Sequence, residues 1–141
     1  MEKWMKRIIP VLPFLYMAAI WMMSGLPADA IVELPDSYWD RFIKESLHLV
    51  EFAILYMLFA AALAVNRKLT PAFSLLAAVA AGFYGIVDEI HQSFVPYRSA
   101  TFIDVVKDLI GVGAAYAHVR FHFFKRERGF LKRLEKIAAK G

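Results

Sequence analysis

Four apolar stretches, separated by short polar segments, make up most of this sequence. They run roughly over residues 8–24, 46–65, 71–87 and 102–124. Each is close to the length of about 20 residues that a helix needs to cross a bilayer core of about 30 Å. The pattern predicts an all-α integral membrane bundle of four transmembrane helices over residues 1–124, followed by a basic cytoplasmic tail over residues 125–141.

The first apolar stretch has a rival interpretation as a signal peptide. Ala28-Asp29-Ala30 fits the small-x-small pattern of a cleavage site, but the apolar run before it is longer than the usual core of a signal peptide. Pro10 and Pro13 fall in the opening turns, where a missing N–H costs a helix least. An uncleaved transmembrane helix is therefore the prediction for this stretch.

The distribution of Lys and Arg predicts the orientation of the bundle. Three precede the first stretch, two lie in the 66–70 segment and seven follow Phe124, which makes twelve on one side. Two lie in the 25–45 loop and one in the 88–101 loop, which makes three on the other. Because cytoplasmic loops carry the excess of positive charge, both termini of this multi-pass protein are expected in the cytoplasm.

Composition narrows the chemistry that such a bundle can carry. With 60% hydrophobic residues and a mean hydropathy of +0.48, the 141-residue chain is too apolar for a soluble domain of that size. The absence of cysteine excludes disulfides, iron–sulfur clusters and thiolate zinc sites, so a metal would need His, Asp or Glu ligands. The isoelectric point near 9.4 does not indicate nucleic-acid binding, because the basic residues sit at predicted helix ends and in the tail.

Two local patterns indicate how the helices pack. Small residues recur four apart, which lets helix backbones approach closely. These pairs are Ala78/Gly82, Ala81/Gly85 and Gly111/Ala115. In the tail, one predicted helical face consists of Phe130, Leu134, Ile137 and Ala138. An apolar face opposite basic residues is typical of a helix lying on an anionic inner leaflet, while a frayed, solvated tail after Gly129 is the alternative.

Polar and ionisable residues gather at the predicted outer ends of the last three helices. On the second helix, His48 and Glu51 lie three residues apart and so share a face. The third helix, if it continues outward through DEIHQ, adds Asp88, Glu89, His91 and Gln92. The fourth adds Asp104 and Asp108, and the connecting segment adds Arg98. The topology brings all of these residues to one level of the membrane.

The charges of this group do not balance. The carboxylates are those of Glu51, Asp88, Glu89, Asp104 and Asp108, and the fixed positive charges are those of Arg98 and Lys107. A carboxylate near the bilayer centre costs on the order of 3 kcal/mol, so a buried one usually has a partner and often a role. The excess predicts that some acids hold protons, that histidines are charged, or that a cation binds. Solvation among lipid headgroups explains the acids at the helix exit equally well.

The second half of the sequence resembles the VanZ-like family, bacterial membrane proteins named after a protein associated with teicoplanin resistance. The resemblance rests on ESLHLVEFAILY and on DEIHQSFVPYRSATFIDVVKDLIG, roughly from His48 to Gly113. The residues it singles out are His48, Asp88, Glu89, Gln92, Pro96, Arg98, Asp104, Asp108 and Gly111. Tyr97 departs from the Gly that is usual at its place, and Asp108 stands where Asn is common.

The resemblance implies a cell-envelope protein of the bacterial cytoplasmic membrane that lowers susceptibility to lipid-bearing glycopeptides such as teicoplanin. The expected partners are a membrane lipid or a lipid-linked cell-wall intermediate, and the glycopeptide itself. Residue chemistry leaves an alternative open, a membrane enzyme acting on a lipid or polyprenyl phosphate headgroup. In it Arg98 binds the phosphate, His48 is the general acid or base, and carboxylates such as Glu51 hold a divalent cation or activate water.

Overall fold

The computed structural model describes residues 2–26, 37–96 and 100–139, except for the side chains of residues 2, 37–45 and 48. All regular structure in this part of the chain is helical, which confirms the all-α prediction. The helices are α1 (Glu2–Ile8), α2 (Leu12–Ser24), α3 (Ser37–Val65), α4 (Pro71–Ser93), α5 (Phe102–Val119) and α6 (Phe130–Ala138). A 3-10 turn, Ile9–Val11, joins α1 to α2, and a π-helical turn, Arg120–Lys125, extends α5.

Two helical segments of the described chain are long and apolar enough to cross a membrane. They are Lys3–Ser24 and Pro71–Ser93, and a shorter apolar segment, Leu49–Val65, lies within α3. On α4, the exposed side chains of Leu76, Phe83 and Ile90 are spaced seven residues apart and form one apolar stripe. An exposed apolar stripe of this length is typical of a surface that contacts a membrane or another protein.

The helices extend further than the apolar stretches that predicted them. α3 begins at Ser37, so the prediction of a loop over residues 25–45 is wrong for residues 37–45. No Pro or Gly interrupts residues 37–65, and polar residues lower the hydropathy of a helix end without preventing its hydrogen bonds. α4 likewise continues through DEIHQ to Ser93. Its polar residues therefore have the helical spacing on which the predicted site depends.

Close packing of the central helices depends on glycine residues, which have no side chain. α3 lies at the centre of the bundle and contacts α5, α4, α2 and α6. Its buried residues include Phe52, Leu55, Tyr56, Ala60 and Ala64. A Cβ on Gly111 of α5 would overlap the carbonyl oxygen of Leu49, and one on Gly82 would lie 2.9 Å from Leu109 Cδ2. Glycine therefore provides the close helix approach that the small-residue pattern predicts.

Two tyrosines form hydrogen bonds between helices in the apolar interior. The Tyr56 hydroxyl on α3 lies 2.8 Å from the Ser74 hydroxyl on α4, and both residues are buried. The Tyr84 hydroxyl on α4 donates to the carbonyl oxygen of Met17 on α2, also at 2.8 Å. Since water is excluded from such positions, a buried hydroxyl needs a protein partner. These bonds join α4 to α3 and to α2.

The basic tail forms a helix that folds back onto the bundle. Gly129, with a positive φ of 99°, precedes α6, which contacts α3 and α1. Leu131 and Ala138 are buried against these helices, whereas Phe130 is 67% exposed and Ile137 is exposed as well. The predicted apolar face is therefore correct for Leu134, which packs against the core, and for Ala138, and wrong for Phe130 and Ile137. Phe130 and Ile137 remain on the surface beside the basic residues.

Candidate functional site

Polar residues of α4 are buried where that helix approaches its C-terminal end. Asp88, Glu89 and Gln92 have relative exposures of 0%, 4% and 3%. The Gln92 amide donates a hydrogen bond of 2.6 Å to Asp88 Oδ2, across the i, i+4 spacing of one helical face. Sequence alone allowed these acids to sit in water at a helix exit. Their burial shows that they point into the bundle instead.

Asp108 of α5 lies against the same part of α4 with 1% exposure. A Cβ on Gly85 would be 3.3 Å from Asp108 Cβ and 3.4 Å from Asp108 Oδ2. Gly85 therefore makes room for the Asp108 carboxylate, one turn before Asp88. Gly85 was noted in the sequence only as part of a helix-packing pair. The sequence did contain a signal for its role beside the acids, because Gly85 lies three residues before Asp88 and so shares a helical face with it.

Glu51 of α3 completes a cluster drawn from three helices. It is half-buried, and its negative charge acts on Asp108 together with those of Glu89 and Asp88. Glu51, Asp88, Glu89 and Asp108 are called the acidic cluster below. The structure thus brings together four of the five carboxylates that the sequence predicts at one level, and Gln92 with them. Their mutual repulsion in a poorly solvated site favours a positive charge beside them.

One buried carboxylate oxygen of the acidic cluster lacks a partner among the described residues. Asp88 Oδ1 is buried and has no hydrogen-bond partner among the described residues, although Asp88 Oδ2 is held by Gln92. A buried acceptor without a partner costs stability, so it calls for an explanation such as a bound ion, water or ligand group. Within the described residues, no group of three or more His, Cys, Asp or Glu is arranged to hold a metal ion. The predicted divalent cation stays a prediction.

Comparison with known proteins shows the family to which the chain belongs. The family model described as VanZ/LLP1 matches residues 3–125. The chain belongs to the VanZ/LLP1 family. The match reaches well beyond the motif-bearing half of the sequence and includes α1 from its second residue, α2 and the π-helical turn after α5. Neither the curated proteins nor the solved structures provide a significant match.

In this VanZ/LLP1 protein, Asp104 lies beside the acidic cluster but has local partners. It is half-buried in the first turn of α5, where Oδ2 accepts a 2.6 Å hydrogen bond from the Thr101 hydroxyl. Its Oδ1 accepts a hydrogen bond of 3.2 Å from Lys107 Nζ, and the two charged groups form an ion pair. A carboxylate in the first turn interacts favourably with the helix dipole. These contacts give Asp104 a role in starting α5, alongside its weaker charge interaction with Asp108.

His91 of the VanZ/LLP1 protein connects α4 to the end of α2. Its ring stacks on Trp21 with centroids 3.8 Å apart and an interplanar angle of 12°. A Cβ on Gly25 would lie 3.7 Å from the same ring. His91 Nδ1 is buried and has no hydrogen-bond partner among the described residues. Sequence reasoning missed this pair, since nothing in the local pattern relates residues seventy positions apart.

Two residues of the predicted site fall outside the described part of the structure. They are Arg98 and the side chain of His48, although the backbone of His48 belongs to α3. Tyr97, the departure from the family pattern, also lies outside it. The enzyme hypothesis assigns phosphate binding to Arg98 and proton transfer to His48. It therefore stays a prediction from the sequence.

Proposed function

We propose that this VanZ/LLP1 protein lowers the susceptibility of its cell to lipid-bearing glycopeptides such as teicoplanin, through the acidic cluster. The observation that carries the proposal is the burial of three carboxylates, those of Asp88, Glu89 and Asp108, between α4 and α5. Placing a carboxylate in the interior of a membrane bundle costs on the order of 3 kcal/mol at the bilayer centre, and less towards the interface. Such residues usually serve a function of the protein.

Stability gives no reason to retain the acidic cluster. Well-packed apolar residues of similar volume stabilise a buried position as well as or better than ionic groups. A cluster that exists only to hold helices together would gain nothing from several acids on facing helices. In the proposed role, the acids and Gln92 bind polar groups of a membrane lipid or a lipid-linked cell-wall intermediate. Binding of such a molecule would change which lipids or cell-wall intermediates an acylated glycopeptide contacts at the membrane surface.

The proposal includes a topology of four transmembrane segments with both termini in the cytoplasm. The segments are residues 3–24, α3, α4 and α5, and the Lys and Arg count supports the orientation. Under this topology, the acidic cluster faces the extracytoplasmic side, where glycopeptides encounter the cell. The loop at residues 66–70 and the basic tail then lie in the cytoplasm.

Single cysteines test the topology, because the chain has none of its own. A membrane-impermeant thiol reagent applied to intact cells is expected to label Ser37→Cys and Ser99→Cys. It is expected to spare Lys68→Cys, which lies on an exposed loop and should react once the membrane is permeabilised. Labelling of Lys68→Cys in intact cells would contradict the orientation.

Expression in a glycopeptide-susceptible Gram-positive host tests the function. The protein is expected to raise the inhibitory concentration of teicoplanin and to leave that of a glycopeptide without an acyl chain unchanged. The matched control is Glu127→Gln, which removes a carboxylate on the exposed segment before α6, away from the acidic cluster. This control should behave like the parent. Unchanged teicoplanin susceptibility at a verified expression level would reject the proposal.

A further inference from the structure

A cavity of about 480 Å³ opens at the end of the bundle opposite the acidic cluster. Its walls come from the first turn of α4, the last turns of α5 and the π-helical turn that follows. The residues that matter for its chemistry are Ser74, Tyr116, Arg120, Phe121, Phe124 and Lys125. Ser74 and Asp88 are fourteen residues apart on one helix, so about 21 Å separates this groove from the acidic cluster. We call it the basic groove.

The basic groove combines an aromatic wall with two positive charges. Arg120 Nη1 donates a 3.1 Å hydrogen bond to the Tyr116 hydroxyl, which holds the guanidinium at the groove. Lys125 Nζ lies 5.7 Å from the centre of the Phe121 ring. Phe121 and Phe124 supply apolar surface beside these charges. The arrangement matches a ligand with an anionic head and an apolar body.

No carboxylate of the described chain neutralises these two charges. Lys107 and Lys132 have acidic partners, Asp104 at 3.2 Å and Glu135 at 2.8 Å. Among the described residues, by contrast, no salt bridge involves Arg120 or Lys125. Two cations held beside an apolar wall without a counter-charge attract an anion from outside the protein.

The π-helical turn explains how the aromatic and basic side chains come to the same place. A π-helix has i→i+5 hydrogen bonds and is wider than an α-helix, and such turns occur frequently at functional sites. Between Arg120 and Lys125 the turn changes which residues face the groove, so that both charges and both phenylalanines line it. A continuous α-helix would turn by about 500° between Arg120 and Lys125, which places the two residues about 140° apart around the helix axis.

We propose that the basic groove binds an anionic phospholipid of the inner leaflet. Arg120 and Lys125 contact the phosphate, while the glycerol and the first part of an acyl chain lie along Phe121 and Phe124. The volume falls within the range of roughly 300–1,000 Å³ that is usual for small-molecule sites. Basic pockets between helices on the cytoplasmic side suit lipid headgroups. A water-soluble phosphate compound would leave the aromatic wall without a partner.

Native mass spectrometry of the purified full-length chain in a neutral detergent tests this site. Phosphatidylglycerol is expected to remain bound, whereas phosphatidylcholine with the same acyl chains is lost. Arg120→Gln/Lys125→Gln should weaken phosphatidylglycerol binding by about tenfold or more, because the variant loses both basic contacts to the phosphate. The matched control, Arg133→Gln/Lys136→Gln, removes two charges from the exposed face of α6 and should change binding less than twofold, because those residues lie outside the groove.

Three results would overturn the proposal. Equal retention of the two lipids by the parent protein would show that charge does not select the ligand, and this result needs no variant. Equal weakening by the control pair would assign the effect to overall charge. Competition by inorganic phosphate at the same concentration as the lipid would indicate a free phosphate site. If Arg120→Gln/Lys125→Gln does not fold, Lys125→Gln alone is measured, and binding equal to the parent counts against the groove.

Discussion

Gly111→Ala is expected to destabilise the bundle by about 3 kcal/mol or more, the upper range for overpacking a well-packed interior. The new Cβ would overlap the Leu49 carbonyl oxygen and lie 2.9 Å from the Leu49 carbonyl carbon. Both are backbone atoms, so no side-chain rotation can relieve the overlap. The α3 and α5 helices would have to separate, which would disturb the packing of α5 along its length. Thermal unfolding in detergent measures the effect.

Gly113→Ala is the matched control for this substitution. Gly113 lies on the same helix, two residues away, with nothing within 4 Å of a Cβ placed there. Alanine is favoured over glycine inside a helix by about 1 kcal/mol, so this variant should unfold at the same temperature as the parent or a higher one. Similar unfolding temperatures for the two variants would mean that the α3–α5 contact is not as close as the structure has it.

Asp88→Asn and Asp108→Asn are expected to separate function from stability in the acidic cluster. Each removes one of several repelling carboxylates, which at an effective dielectric constant of 20 is worth on the order of 1 kcal/mol or more. Both variants should therefore be at least as stable as the parent in detergent. Asp88→Asn should lose the teicoplanin phenotype, because its Oδ1 is the acceptor that lacks a partner among the described residues. An amide cannot offer a charge or a transferable proton there.

Asp108→Asn should retain the phenotype. The amide has the shape of the carboxylate and fits the space beside Gly85, and Asn is common at this position in the family that the sequence resembles. Loss of stability in both variants would identify a structural ion network. Full activity of both would mean that the acidic cluster has no part in the function. Only an inactive, stable Asp88→Asn beside an active Asp108→Asn supports the site as proposed.

The sequence predicts the parts of this site that depend on helical spacing. Asp88 and Gln92 are four residues apart on a helix, and their hydrogen bond follows from that spacing once α4 continues through DEIHQ. The small-residue pairs similarly predict a close helix approach at Gly111, which in the structure is made with α3. In each case, the information lies within one element. A hydropathy pattern missed the start of α3 because it measures apolarity, and residues 37–45 are helical without being apolar.

Contacts between distant elements could not be predicted in this way. The stack of Trp21 on His91 depends on where the end of α2 meets α4, and the fit of Asp108 beside Gly85 depends on the register of α5. The face that α6 buries depends on the turn at Gly129 rather than on the amphipathic pattern alone. Helical periodicity determines which residues share a face. It does not determine which neighbour that face meets.

The backbone contact between Gly111 and Leu49 fixes how α5 is aligned along α3. Because no side chain separates the two helices there, neither can be displaced towards the other without a collision between backbone atoms. Asp108 lies only three residues from Gly111, so a sliding of α5 along α3 would move its carboxylate past Glu51 by about 1.5 Å for each residue of shift. The glycine that permits close packing therefore also determines which carboxylates face one another.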